Sequence, residues 1–409
     1  MKKPIVFIIF NRPDTTSIVF KEIRKYRPEK LFVIADGPRI HKEYEEDLCE
    51  ETRNTVKVDW ECEVIKIYSN TNLGCQQRVY TGLNEVFNHV EEAIILEDDC
   101  VPHQDFFRYC EELLDYYKEE PQVMAISGNN FQDASFEIED SYYYSIFPHC
   151  WGWATWKNAW LKMDVTMRGW EEFKFSQQFS GISYDALFQD YWIKVFDKVE
   201  EGKLDSWAYP WTFSCWKHNG LTVLPKKNLI SNIGFDERAT HTINSNSRDV
   251  NLSIYPMEFP LKHPSEININ YRADHYTSEN HYGLANIKKN MLINEEKLNF
   301  LQKGLLSIPR DFKDKEVFLF GAGDWAKSIE KVLLSHGKAV ESFIVTTKDT
   351  NCTNIKEISE VKFSRLSIVI VCVEGHHDKI IVERLKLSFL KQPVEIFSWR
   401  DLILKGSEE

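Results

Sequence analysis

The sequence predicts an α/β protein whose main domain is built on a mixed, mainly parallel sheet. Three features predict this class. Short apolar runs of strand length alternate with segments of helical periodicity, polar residues follow the apolar runs, and the same alternation returns near the C-terminus. Such apolar runs are typical of strands that helices cover on both faces. Because 409 residues exceed one ordinary core, we predict a domain at 1–255, a linker with a bridging helix at 256–313, and a smaller Rossmann-like domain at 314–409.

The elements of the first hundred residues can be assigned in order from their apolar spacing. The predicted elements are a strand at 4–10, a helix at 15–26, strands at 30–35 and 64–68, a helix at 76–90, and a strand at 93–96. In open parallel sheets, ligands gather at the carboxyl ends of the strands. Asn11, Arg12, Asp36 and an acidic group at 97–99 all follow a predicted strand, so we expect a binding site there.

Composition and charge exclude several classes of function. A formal net charge of -13 argues against nucleic-acid or anionic-membrane partners, which require a basic surface. The nine cysteines form no CxxC pair and no cluster with histidine at zinc spacing. They are typical of reduced thiols in a cytoplasmic protein. No stretch approaches the ~20 apolar residues that span a bilayer, so we expect at most peripheral association with the inner face of a membrane.

The acidic tip, defined as Glu97, Asp98 and Asp99, closes the apolar run of the fourth predicted strand. A new helical pattern begins directly after Pro102. Carboxylates at the end of a buried strand are suitable ligands for Mn²⁺ or Mg²⁺, which bind through one or two acids plus substrate phosphates. The alternative is a helix N-cap cluster that the helix dipole favours. The metal interpretation is the one that we favour.

Several segments, taken in order, resemble the GT-A glycosyltransferases, whose fold is that of nucleotide-diphospho-sugar transferases. These segments are FNRPDTTSIVFKEI, VIADGP, NLGCQQRVYTGLNEVF, ILEDDCVPHQDFFRYC, HCWGWATWKNAW, FQDYWIKV and NIGFDERATHT. The closest likeness is to the inverting N-acetylglucosaminyltransferase I group and to bacterial sugar transferases of surface-polysaccharide pathways. The likeness covers roughly residues 1–245.

The resemblance implies roles for the residues that bind the nucleotide. Asp36 would accept a hydrogen bond from the uracil imide, because a carboxylate is an acceptor only. Asn11 and Arg12 would lie near the nucleotide on the first loop. Arg78 would reach nucleotide or diphosphate oxygens, for which a guanidinium fork is suited. A solvated helix residue is the alternative for Arg78.

The resemblance also implies a metal centre. Asp99 would be the direct ligand of Mn²⁺ or Mg²⁺, while Asp98 and Glu97 would contact ribose, sugar or metal-bound water. His241 resembles the late histidine that completes the metal or diphosphate site in many members of the family. The chain has 12 histidines, so His241 is one candidate among several.

Asp190 is the predicted catalytic base. It aligns by pattern with the second acid of the family's WDDW segment, and its neighbours are Phe188, Tyr191 and Trp192. Burial among aromatic rings would raise the pKa of Asp190 toward a useful value for a base. Asp185 competes for this role, and the chain departs from the family in having Gln189 in place of the first acid. The alternative for Asp190 is an acid on the exposed face of a helix.

Tryptophans are dense between residues 151 and 160. Trp151-Gly152-Trp153 resembles the family's LGW loop under the donor sugar, and we predict that Trp153 contacts the sugar. Aromatic faces bind the C–H side of a pyranose well. The spacing of the four tryptophans also fits a helix that packs a core. We expect residues 127–130 and 205–216 to line the same cleft.

The C-terminal segment carries a glycine turn after an apolar run. Gly321-Ala322-Gly323, with Ala326 in the third place, resembles the dinucleotide-binding fingerprint. The second strand of this segment ends in Val345-Thr346-Thr347, without the acid that holds a cofactor ribose. Hydride transfer, nucleotide binding and a docking or structural role are the three interpretations, and we favour the last.

Together these features predict an inverting transferase in bacterial surface-glycan synthesis. The donor would be a UDP-sugar, and the acceptor a glycan, a lipid-linked glycan or a glycoprotein. Two alternatives are a sugar-nucleotide pyrophosphorylase and a catalytically silent nucleotide-sugar or metal-binding scaffold. Homo-oligomers are compatible with the sequence.

Overall fold

The computed structural model describes residues 2–235, 249–303, 312, 314–346, 355–373 and 377–405. The chain divides into two compact units, Met1–Leu284 and Ala285–Glu409. The first contains the mixed, mainly parallel sheet and the second a smaller parallel sheet. The predicted α/β class is therefore confirmed.

The first unit is organised by an eight-stranded sheet with the order β3-β2-β1-β4-β8-β6-β9-β7. Strands β4 and β8, β6 and β8, and β7 and β9 pair antiparallel, and the other four pairs are parallel. A separate antiparallel pair joins β5 to β10. The strands are β1 (Ile5–Ile9), β2 (Lys30–Ala35), β3 (Glu63–Tyr68), β4 (Glu92–Glu97), β5 (Cys100–Pro102), β6 (Val123–Ser127), β7 (Tyr142–Ser145), β8 (Trp153–Trp156), β9 (Leu221–Pro225) and β10 (Ile230–Asn232).

Helices cover both faces of this sheet. The first helix begins with Pro13 in its first turn, where a missing N–H costs nothing, and buries Val19, Phe20 and Ile23. The helices are α1 (Pro13–Tyr26), α2 (Glu45–Thr55), α3 (Cys75–His89), α4 (Gln104–Tyr116), α5 (Lys157–Trp160), α6 (Trp170–Phe173), α7 (Gln177–Ile182), α8 (Ala186–Glu200), α9 (Ala208–Lys217) and α10 (Tyr271–Asn280). One buried cluster lies on each side of the sheet, and a third, aromatic cluster joins α6 to α9.

The strand order reverses between β1 and β4. From β1 the chain proceeds to β2 and β3 on one side, and it returns to add β4 on the other. Ile8 at the end of β1 lies in register with Glu97 at the end of β4. The loops that leave these two strands therefore diverge and open a crevice, which is the usual ligand position in such sheets. Arg12 and the acidic tip follow these strands.

The first unit extends through residue 284, so it includes 29 residues that the sequence assigned to a linker. Buried Asp274 on α10 accepts a hydrogen bond from the backbone N–H of Ile146 at 3.0 Å and another from the Ser145 hydroxyl. These bonds fix α10 to the end of β7. The exact limits of the predicted domains stay a prediction.

The second unit is a five-stranded parallel sheet with the order β13-β12-β11-β14-β15, which is the doubly wound order of a Rossmann-like half. Gly321 follows β11 with a φ of +108°, a conformation that favours glycine. The remaining elements are α11 (Leu284–Lys303), β11 (Glu316–Phe320), α12 (Asp324–Ser335), β12 (Ser342–Val345), β13 (Ile355–Glu357), a 3₁₀ turn (Ile358–Glu360), β14 (Ser367–Val371), α13 (Asp378–Ser388), β15 (Val394–Ser398) and α14 (Trp399–Lys405). Within the described residues, no helix has the length and apolar character needed to cross a bilayer.

Gly37 is a position where the fold admits no side chain. A Cβ there would lie 2.6 Å from backbone atoms of Thr71, which cannot yield as a side chain can. We expect Gly37→Ala to lower the free energy of unfolding by about 1–3 kcal/mol, a typical cost of overpacking. Urea denaturation of the purified protein measures this. Gly181→Ala, where a Cβ meets nothing within 4 Å, is the control; an equal loss in both variants would contradict the prediction.

Candidate active site

A cavity of about 530 Å³ opens beside the carboxyl ends of β1 and β4. Its volume is typical of small-molecule sites. The wall is mixed, with acids and Arg12 on one part and aromatic rings on another. The lining residues are Arg12, Cys75, Glu97, Asp99, Asn129, Phe131, Pro148, His149, Cys150, Trp151, Tyr191, Leu204, Ser206, Trp207, Ala208, Tyr209, Thr212, Asn232, Phe235, Asp249, His281 and Tyr282. Asn129 of segment 127–130 and five residues of segment 205–216 belong to this lining. That this cavity holds the donor sugar stays a prediction.

Arg12 holds the acidic tip in place. Its Nη2 donates to Oδ1 of Asp98 at 2.6 Å and to Oδ2 of Asp99 at 2.8 Å. The backbone N–H of Phe10 donates to the other oxygen of Asp98 at 3.2 Å. Both aspartates are buried. Removing one partner of such a buried pair costs about 3–5 kcal/mol, because a charge is left without compensation.

The loop after β10 closes over this ion pair. A Cβ at Gly234 would lie 2.1 Å from Oδ2 of Asp99 and 2.8 Å from Nη1 of Arg12. The backbone N–H of Ile233 donates to the Asp99 carbonyl at 2.9 Å. The ion pair is therefore shielded from solvent on this side, and the position of Asp99 depends on a residue without a side chain.

The acidic tip carries more negative charge than Arg12 offsets. Burial and the charges of Asp99 and Asp98 raise the pKa of Glu97 from 4.5 to about 8, although Arg12 and a hydrogen bond from Trp207 oppose this. Burial raises the pKa of Asp98 from 3.8 to about 6, against the opposing charge of Arg12. Arg12 bonds to Asp98 and Asp99 but not to Glu97, so a further cation would stabilise the ionised form of Glu97.

The carboxylates of the acidic tip are suited to a divalent cation such as Mg²⁺ or Mn²⁺. Carboxylate oxygen is the preferred ligand of these ions, and the excess negative charge of the acidic tip would be offset by such an ion. In the described part of the chain, the one group of three acidic, histidine or cysteine side chains that converge within 4.8 Å is Glu171, Asp197 and Glu200, which does not line the cavity. The acidic tip thus offers partial coordination of the kind that substrate phosphates complete.

Asp36 and Arg78 lie close enough for their charges to affect each other. The Asp36 carboxylate accepts backbone hydrogen bonds from Gly37, Leu73 and Gly74 at 2.9–3.1 Å, so it ties the loop after β2 to the loop after β3. Arg78 is buried, and its Nε has no partner among the described residues. Burial lowers the pKa of Arg78. The predicted nucleotide contacts of both residues stay a prediction.

Asn11 and Trp153 lie outside the cavity lining. Asn11 donates from Nδ2 to Oε1 of Glu45 at 3.0 Å, on the loop beside α2. Trp153 is 1% exposed in the central strand β8, and its ring stacks on Trp207 at 5.4 Å. Trp207 lines the cavity, and so does Trp151. The structure therefore places Trp153 beneath the wall that its neighbours form.

Asp190 points away from the cavity. Its side chain is 53% exposed and pairs with Lys194 at 2.6 Å, while the adjacent Tyr191 faces the cavity from the same helix. The burial expected for Asp190 is absent, because Phe188 and Trp192 pack on a different face of α8. Its competitor Asp185 caps α8 by accepting from the Leu187 N–H.

His241, the predicted metal ligand, lies outside the described residues.

Four polar residues of the cavity received no individual contact or catalytic role from the sequence. Nδ1 of His281 lies 2.8 Å from Oδ2 of Asp249. His149 and Asn129 are buried, and their Nε2 and Nδ2 atoms have no partner in the described structure. Orphaned polar atoms of this kind on a cavity wall are suited to a polar ligand. No local pattern marks Asp249 and His281, which lie 32 residues apart.

The N-terminus of α3 borders the cavity at Cys75. The carboxylate of Asp205 accepts from the backbone N–H groups of Cys75 and Gln76 at 3.0 and 2.9 Å. Gly74 precedes them with a φ of +80°, which lets the chain turn into the helix. A side chain from the loop before α9 thus occupies the positive end of this helix.

Comparisons with known proteins give weak likenesses. No protein-family model and no curated protein sequence matches the chain. Among solved structures, S. aureus TarS (residues 1–349) is 10% identical with a TM-score of 0.32, covering 56% of this chain and 60% of that one. The mannosyltransferase PcManGT from Pyrobaculum calidifontis, in complex with GDP-Man and Mn²⁺, is 12% identical with a TM-score of 0.28, covering 53% and 74%. Mouse xyloside xylosyltransferase 1 is 7% identical with a TM-score of 0.30, covering 54% and 84%.

The chain spans less than two thirds of the TarS structure that it matches. Likenesses at these identities and TM-scores carry no conclusion about activity. The fold assignment therefore rests on strand order and pairing, and the candidate site rests on its own geometry.

Glu97 should make stability depend on pH. Its folded-state pKa is raised to about 8 from 4.5, so between these values the folded protein binds more protons than the unfolded chain and loses stability as pH rises. We expect Glu97→Gln to match wild type near pH 4.5 and to melt several degrees higher at pH 8.5. Calorimetry in EDTA measures this. Exposed Glu61, outside the cavity, supplies the control Glu61→Gln; a pH-independent difference for Glu97→Gln would refute the assignment.

Proposed function

We propose that the protein is a metal-dependent glycosyltransferase that moves a sugar from a UDP-sugar to an acceptor hydroxyl. The observation that carries this proposal is the acidic tip at the switch point of the sheet, opening into an aromatic cavity of about 530 Å³. The carboxylates would bind a cation, and the cation would bind the diphosphate. Trp151, Trp207 and Tyr209 offer flat faces for a sugar ring. The two kinds of surface meet in one cavity.

Each part of the site would have a separate task. Asp99 would bind Mn²⁺ or Mg²⁺, and Glu97 and Asp98 would hold its water or the ribose and sugar. The ion would offset the charge that develops on the diphosphate as the sugar leaves. Arg12 keeps two of these carboxylates fixed before any ligand binds. Such preorganisation avoids reorganisation of the site during the reaction.

The finer assignments rest on the resemblance of residues 1–245. It supports an inverting reaction, a bacterial surface-glycan pathway, and a glycan, lipid-linked glycan or glycoprotein acceptor. Asp36 and Arg78 are the proposed partners of the nucleotide. A cytoplasmic location, with at most peripheral membrane association, is supported by the free cysteines of the described chain. For the second unit we propose a docking or structural role.

A sugar-nucleotide pyrophosphorylase is less compatible with the first loop. That activity requires a glycine-rich loop after the first strand that wraps the phosphates, but only three residues separate β1 from α1. The single arginine of this loop, Arg12, is already bound to Asp98 and Asp99. A catalytically silent scaffold protein would have the same site as the proposed enzyme. It would differ only in that it does not turn over the donor.

Turnover separates an enzyme from a scaffold. The protein is incubated with a panel of nucleotide sugars and Mn²⁺, and release of nucleoside diphosphate is measured. We expect slow hydrolysis of a UDP-sugar, with water in place of the acceptor. Binding of UDP and Mn²⁺ without any release would favour the scaffold, and absence of both would refute the proposal.

Asp99→Asn tests the metal role without changing the shape of the side chain. A ligand at 100 times its Kd stabilises a protein by about 2.7 kcal/mol. We expect wild type to show such stabilisation with UDP plus Mn²⁺, and Asp99→Asn to lose it. Differential scanning fluorimetry measures this. Asp115→Asn, a 69% exposed acid outside the cavity, is the control; an unchanged shift in Asp99→Asn would remove Asp99 from the metal site.

A further inference from the structure

An acid–imidazole pair lines the same cavity as Glu97 and Asp99 of the acidic tip. Nδ1 of His281 lies 2.8 Å from Oδ2 of Asp249, and Asp249 is 5% exposed. An ionised carboxylate only accepts hydrogen bonds, so Nδ1 carries the proton, and in the neutral imidazole Nε2 then keeps its lone pair. Within the described residues, Nε2 of His281 makes no hydrogen bond. A basic nitrogen thus remains available at the cavity wall.

The imidazole of His281 is held rigidly. Phe131 stacks on it with ring centroids 4.0 Å apart and planes 13° apart. Trp151 and Tyr282 pack edge-on at 6.2 and 4.8 Å. The side chain of His281 nevertheless keeps 20% exposure. Fixed on several sides and open on one, the ring has the preorganisation that a proton acceptor needs.

Among the described residues, the titratable groups packed against His281 are Asp249, His149 and Tyr282. His149 lies 5.5 Å away between ring centroids, and burial together with the nearby imidazole holds its pKa well below the ordinary value. Burial holds the pKa of Tyr282 well above its ordinary value. Both groups are therefore neutral at physiological pH. Asp249 is the carboxylate that contacts the ring directly.

We infer that His281 is the general base of the transfer reaction and that Asp249 positions it. This inference rests on the function proposed above. Nε2 takes the proton of the acceptor hydroxyl while that oxygen forms a bond to the anomeric carbon. The bond from this carbon to the diphosphate oxygen breaks, and its electron pair leaves with the diphosphate. Asp249 stabilises the imidazolium, which later releases its proton to water.

His281 takes the role of general base that the sequence pattern assigned to Asp190. Asp190 is exposed, pairs with Lys194 and does not line the cavity. His281 and Asp249 line it together with Glu97 and Asp99. A general base must come within hydrogen-bond reach of the proton that it removes. The geometry therefore favours the imidazole over the acid that the sequence pattern suggested.

His281→Asn separates catalysis from packing. The asparagine amide can replace Nδ1 as the donor to Asp249 but cannot accept a proton. We expect hydrolysis of the UDP-sugar identified in the panel to slow by about 10²- to 10⁴-fold, with the UDP–Mn²⁺ melting shift unchanged. His281→Gln is a second variant with the same expectation.

His275→Asn is the matched control, since His275 is 72% exposed on α10 and lies outside the cavity lining. Full activity in this variant is expected. If His281→Asn and His281→Gln keep the wild-type rate, the inference is overturned while the proposed function stands. Loss of rate in Asp190→Asn with an active His281→Asn would assign the base to Asp190. If wild type hydrolyses no donor with any divalent ion, both proposals fail.

Discussion

The ion pair between Arg12 and the two aspartates of the acidic tip is the interaction on which the site depends. It joins the loop after β1 to the loop after β4, at the point where the strand order reverses. These loops diverge because their strands connect to opposite halves of the sheet. Arg12 limits that divergence and fixes Asp98 and Asp99, of which Asp99 lines the cavity. Glu97 remains without a cation of its own, and burial raises its pKa.

The two walls of the cavity come from different parts of the chain. The acids lie at the ends of parallel strands. The rings come from several later segments, among them the loop before β8, helix α8, the start of α9 and the segment that follows α10. Trp207 connects the walls, because it stacks on Trp153 in the core and hydrogen-bonds Glu97. The packing of the aromatic half is thereby coupled to the charge state of the acidic half.

The strands, the acidic tip and its proximity to Arg12 could be predicted, because apolar runs mark buried strands and strand ends share an edge. The sequence was a poorer guide to which residues of a helix face the cavity and which face solvent. Asp190 and Tyr191 are one residue apart on α8, and that step separates solvent from the cavity. Trp153 likewise belongs to a central strand that is buried on both faces. Asp249 and His281 lie in polar segments without periodicity, so only tertiary structure brings them together.

Asp205 has a consequence for how phosphate could be held. The N-terminus of a helix is an intrinsic anion site, but at α3 a carboxylate of the same chain already satisfies Cys75 and Gln76. A second anion there would meet electrostatic repulsion rather than free N–H donors. The N-terminus of α3 therefore offers little intrinsic attraction for phosphate at this edge of the cavity. If the protein binds a nucleotide with a divalent ion as proposed, its affinity for the nucleotide would depend on the concentration of that free ion.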